Sequence, residues 1–177
     1  MTIPTEPPLL AWSHETTEIP ERGLKRARSA TEAERVALAK ALDLVACEAL
    51  DANYQIVPTT SGHWEVTGGL DAAVTQACVI SLEPVAARVA ETFSVEFRRD
   101  AGLETPDAER EVLSGSDIEL LDGDRIDIGR IVYETLSAGL DPYPRKAGAE
   151  FDWADPKAGA ADSANPFVVL KKLKGEG

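Results

Sequence analysis

At 177 residues, 44 % of them hydrophobic, the chain is long enough to bury one core without disulfides or metals to hold it together. Thirty-one acidic residues against 18 basic leave a net charge of −13, which works against unassisted binding to phosphate backbones and favours basic partners. No apolar run approaches the roughly 20 residues that span a bilayer, so no membrane association is expected.

The first eight residues hold Pro4, Pro7 and Pro8 and read as extended chain. They carry no basic n-region, and the short apolar run from Leu9 to Trp12 is not a signal peptide. Leu9 to Ser13 and Thr16 to Ile19 read as short strands, the second closed by Pro20. Arg22, Lys25, Arg26 and Arg28 then place four basic residues within seven positions. They are a candidate phosphate contact, against the commoner reading of a solvated charged face. Thr31 and Glu34 have the spacing of a capping box, which predicts a helix from about Glu32 to Leu44. Leu50, Ala52, Tyr54 and Ile56 alternate with polar residues as a strand stopped by Pro58, with Thr59 to Gly62 as a hairpin loop.

The longest periodic signal follows. Trp64, Val66, Leu70, Ala72, Val74, Cys78 and Ile80 share one parity, and after Ser81–Pro84 the alternation resumes at Val85, Ala87, Val89, Phe93, Val95 and Phe97. Two long strands joined by a turn are predicted, apolar on one face and wet on the other. Gly68-Gly69 interrupts the first, so a bulge or bend is expected there.

From Asp100 to Asp127 ten acids stand against two arginines. The part to about residue 115 reads as a mobile acidic loop, because like charges repel and little apolar surface compensates. Ile118 to Leu121 and Ile126 to Ile128 are expected to pair with each other. Ile128, Ile131, Val132, Thr135, Leu136 and Leu140 then mark one face of a second helix, ended by Asp141-Pro142. Residues from about 146 to 177 read as a loosely held tail within a single domain spanning 1–177. In it Asn165-Pro166 can open a helical turn that puts Phe167 and Leu170 on one face as a docking segment. The whole is α+β: a curved, mainly antiparallel sheet packed with two helices, an acidic loop and a docking tail.

No catalytic constellation emerges. His14 and His63 are the only histidines, and Ser13-His14 would point to opposite faces of a strand. Cys47 and Cys78 lie on separate elements and read as free thiols of a reducing compartment. With two lone histidines and two lone cysteines, no metal ligand set and no cofactor is expected. The aromatics are scattered rather than arrayed as a stacking platform for bases.

Several segments, in order, are similar to the YceD-like family. They are Gly69-Leu70-Asp71 through Gln76-Ala77-Cys78-Val79-Ile80-Ser81-Leu82-Glu83-Pro84-Val85, the acidic stretch, Ile126-Asp127-Ile128 leading into helix, Asp141-Pro142-Tyr143-Pro144-Arg145, and Asn165-Pro166-Phe167-Val168-Val169-Leu170. The resemblance runs from about Leu9 to Leu173, and Asp-Pro-Tyr-Pro-Arg resembles the alphaproteobacterial-type branch. It implies a bacterial cytoplasmic factor, without known enzymatic activity, linked to accumulation of large-subunit ribosomal RNA. Many relatives carry C-x-x-C where this chain has Cys78 and Ser81, so a metal or redox role of that pair does not carry over. The resemblance supplies no molecular mechanism; the acidic charge, including Asp117, Glu119, Asp122 and Asp124, makes a basic ribosomal protein or pre-ribosomal particle the expected partner. The alternative is direct rRNA contact through Arg22, Lys25, Arg26 and Arg28.

Overall fold

The computed structural model describes residues 9–60, 62–99 and 117–150. Their strands are β1 (Ser13–Glu15), β2 (Leu24–Ser29), β3 (Ala46–Pro58), β4 (Trp64–Ala77), β5 (Pro84–Arg98), β6 (Asp117–Leu120) and β7 (Arg125–Asp127). The helices are α1 (Glu32–Ala41) and α2 (Ile128–Gly139). Strands β2 to β6 form one sheet in sequence order, antiparallel except for the parallel β5–β6 pair, and β1 pairs with β7 apart from it. The fold is α+β, and the sheet does not close into a barrel.

Period-two patterning decides which sheet face is buried. Leu50, Ala52, Tyr54 and Ile56 of β3, Trp64, Val66, Leu70, Ala72 and Val74 of β4, and Val89, Val95 and Phe97 of β5 are all buried. The register stacks them in rows across the sheet, such as Ile56–Val66–Val95 and Leu50–Ala72–Val89. Helix α2 covers the β5 side of that face with Ile128, Ile131, Val132 and Leu136, and α1 packs on β3 mainly through Leu38.

Four sequence expectations change here. Leu9–Ser13 and Thr16–Ile19 are not strands: Leu10–Trp12 and Thr16–Glu18 are 3₁₀ turns flanking the three residues of β1. In a 3₁₀ turn residues i and i+3 eclipse, and this sends both Leu9 and Trp12 into the core. Gly68-Gly69 carries no bulge, because the β4 register runs unbroken through both; the irregularity falls between Cys47 and Ala49. Ile118–Leu121 and Ile126–Ile128 do not pair as strands. β6 adds to β5 and β7 adds to β1, leaving one bridge from Asp122 to Arg125. Finally, the basic cluster contains strand β2, whose exposed edge position needs no apolar alternation.

Gly68 has a packing role instead. It lies between Tyr54 and Phe93 in one row, and a Cβ there would stand 2.4 Å from the Asn53 carbonyl and 2.6 Å from the Phe93 ring. The missing side chain is the space that the Phe93 ring fills. The acidic stretch at 100–115 and the docking segment with Asn165, Pro166, Phe167 and Leu170 lie outside the described residues.

Candidate partner-binding site

The basic cluster is divided by the strand that carries it. Arg22 sits in the turn before β2, which Gly23 closes at φ +83° by donating its N–H to the Pro20 carbonyl at 2.8 Å. Arg26 and Arg28 are in register with Tyr54 and Ala52 of the core face, while Lys25 is in register with Gln55 on the wet face. Arg28 is engaged in the fold: its guanidinium lies 6.0 Å from the Trp12 ring centroid, and its charge acts on Tyr54. Tyr54 in turn is hydrogen-bonded to His14 at 2.8 Å in a buried pair. Burial, and secondarily Arg28, hold His14 below its usual pKa, so it stays neutral; burial likewise raises the Tyr54 phenol. The Ser13 hydroxyl accepts from Arg125 at 3.0 Å, so His14 bonds to Tyr54 and Ser13 to another partner.

The wet sheet face gives nucleic acid little to stack on. Across β2 to β5 its central row is Ala27–Asn53–Gly69–Thr92, flanked by Lys25–Gln55–Thr67–Ser94 and Ser29–Asp51–Asp71–Ala90. No aromatic side chain stands in these three rows.

The acidic residues are brought together more closely. In the parallel β5–β6 pair, Asp117 and Glu119 are in register with Val95 and Phe97, and so project on the core side of the sheet, toward α2. There they line a groove of about 500 Å³ with Glu91, Phe93, Ile131 and Glu134. Arg130 neutralises part of this charge through Glu119, and more distantly Glu134 at 3.9 Å. Glu91 and Asp117 have no ion pair among the described residues. The result is an open groove in which Phe93, Val95, Ile131 and Ala138 alternate with polar side chains and the acids leave excess negative charge, suited to Lys or Arg side chains with aliphatic stems. Among the described residues, no group of three or more His, Cys, Asp or Glu could hold a metal ion. Asp122 and Asp124 stand outside the groove, in the turn before β7, where Asp124 pairs with Arg99 at 3.0 Å.

Two members of the groove were not anticipated from the sequence. Glu91 breaks the apolar parity of β5 between Val89 and Phe93, a readable signal, since an acid on a core-facing position needs a reason. Glu134 lies beside the apolar stripe of α2, and nothing local distinguishes it from a solvated helix acid.

Asp141, Pro142, Tyr143, Pro144 and Arg145 form the segment after α2 and dock against the β4–β5 turn. Gln76 donates its amide N–H to the Asp141 carbonyl at 2.9 Å, Val79 donates its backbone N–H to Pro144 at 2.9 Å, and Lys146 pairs with Glu83 at 2.6 Å. At the centre is Cys78, whose Sγ accepts the backbone N–H groups of Lys146 at 3.4 Å and Ser81 at 3.5 Å. These donors, Lys146 first, pull the thiol down to about 6 against the smaller opposing effect of desolvation. Although the side chain is fully covered, the two loops that donate to it set its ionisation more strongly than burial does. Both cysteines are free.

No curated protein matches the chain, and no solved structure does. A family model does match, over residues 66–174, which is more than half of the sequence and includes β4 from Val66 on, β5, the acidic groove and the Asp141–Arg145 segment. The chain therefore belongs to the YceD family, described as large ribosomal RNA subunit accumulation protein YceD.

Proposed function

We propose that this chain serves accumulation of the large ribosomal RNA subunit as a cytoplasmic, non-catalytic binding factor. Its ligand is a Lys/Arg-rich segment of a ribosomal protein or pre-ribosomal particle, held in the groove between α2, β5 and β6. The observation that carries this reading is the convergence of Glu91, Asp117, Glu119 and Glu134 on one open groove, two of whose acids, Glu119 and Glu134, already pair with a cationic side chain, Arg130. A chain of net charge −13 steers such a partner from a distance, and the groove supplies short-range contacts.

The test compares two full-length variants for binding to purified basic large-subunit proteins. Glu91→Gln, Asp117→Asn and Glu134→Gln together should weaken binding by about tenfold or more at low salt. Arg22→Gln, Lys25→Gln and Arg26→Gln should leave it unchanged, and Arg28 is left alone because its guanidinium packs over Trp12. If the basic-cluster variant loses binding to pre-ribosomal particles while the groove variant keeps it, direct rRNA contact is the correct reading.

A further inference from the structure

Three of the large exposed hydrophobic residues stand together where the β4–β5 turn meets the segment after α2: Val79 at 47 % exposure, Leu82 at 77 % and Tyr143 at 70 %. Val45, also exposed, is held at the same end of the sheet by its N–H bond to the Thr75 carbonyl. Apolar side chains at a loop tip are commonly mobile and single; these are held in place. The Cys78 N–H bonds to Glu83, the Leu82 N–H to Cys78, Val79 to Pro144, and Tyr143 to the Asp141 carboxylate. Leu82 is presented from the left-handed region at φ +60°, which a branched residue occupies only when its surroundings enforce it. A hydrogen-bonded scaffold that maintains an unfavourable backbone in order to expose a leucine has the character of a preformed contact surface.

We propose that this patch is the seat of the chain's own segment Phe167–Leu170, docked in cis. The inference is independent of the groove and of its partner. Two features select this occupant. The described structure runs from Lys146, on the patch itself, to Glu150, so the remaining residues set out from beside it. From Glu150 to Phe167 an extended chain reaches on the order of 50 Å, which makes the patch accessible and the encounter intramolecular. The second feature is charge. Phe167-Val168-Val169-Leu170 is followed by Lys171, Lys172 and Lys174; beside the patch stand Asp141, whose carboxylate accepts the Tyr143 N–H, Glu48, bonded to Thr75 next to Val45, and Glu83, paired with Lys146, with Arg145 the remaining cation. An apolar anchor followed by lysines matches an apolar patch with an acidic border.

The experiment compares amide resonances of the full-length protein with those of Phe167→Ser/Leu170→Ser, a pair outside the described core. The expected result is a set of shifts concentrated at residues 78–83 and 141–146, independent of protein concentration. Tyr143→Ser should reciprocally move the amide signals of residues 167–170. Shifts elsewhere or none at all overturn the proposal, as does a concentration dependence, which would assign the patch to a second copy. Binding of a basic ribosomal protein that perturbs 78–83 equally in both proteins, with no tail-dependent shift, would assign it to that partner.

Discussion

Gly68 and Cys78 show how single residues set local energetics. At Gly68 an added methyl meets a backbone carbonyl that cannot swing aside, as well as the Phe93 ring. Gly68→Ala should therefore cost about 1–3 kcal/mol, read as a lowered denaturant midpoint. Gly69→Ala should cost less, since its nearest atom is at 3.1 Å. The Gly-Gly pair was legible in the sequence as a special position, but its cause was not, because Phe93 is 25 positions away and only the β4–β5 register brings it opposite. Cys78 makes a pH prediction. Its folded-state pKa of about 6 lies below the ordinary thiol value of 9.0, so the folded state favours the thiolate. The resulting stability is complete above pH 9 and is lost as pH falls toward 6. Denaturation of wild type and Cys78→Ala across that range should show the wild-type advantage growing with pH; a constant difference would mean that the thiol stays protonated.

Among the elements, α1 is the clearest case of a local signal carried through to structure. Glu34 accepts from the Thr31 N–H at 2.8 Å while its own N–H donates to the Thr31 hydroxyl at 3.3 Å. The same carboxylate also accepts the Trp12 indole N–H at 3.0 Å, tying the N-terminal turn to the helix start. Thr31→Ala should cost about 1 kcal/mol. Glu34→Ala should cost more, by a further 1 kcal/mol or so, because it also strands the donor of a buried indole. Thermal unfolding of the two variants checks the ranking. Helix α2 was equally legible, since its apolar stripe is continuous and its N-cap, Asp127, accepts from the Arg130 N–H at 3.0 Å. Strand β2 was not, for the reason that an edge strand borrows its order from its neighbour: Leu24 pairs with Ile56 and Ser29 with Asp51 through backbone bonds that any sequence can make. Its lysine and arginines then serve to discourage pairing with another chain along that edge.

For the molecule as a whole, the proposed binding of a basic partner makes a kinetic prediction from the net charge of −13. The excess acids should accelerate capture of a basic protein, with an association rate that falls steeply as salt rises past the point where the Debye length drops below about 10 Å. Stopped-flow measurements at two salt concentrations should show most of the affinity loss in the association step; a loss confined to dissociation would contradict steering. Periodicity and composition by themselves determined the two long strands, the capped helix, the amphipathic helix and the acidic character, because each depends on neighbours within a few residues. Tertiary structure alone decided that β6 joins β5 in parallel, that Glu91 and Glu134 meet Asp117 and Glu119 in one groove, and that Cys78 receives the Lys146 N–H. Those contacts join residues far apart in the chain, and no local preference encodes a pairing whose two halves become neighbours only once the core between them has formed.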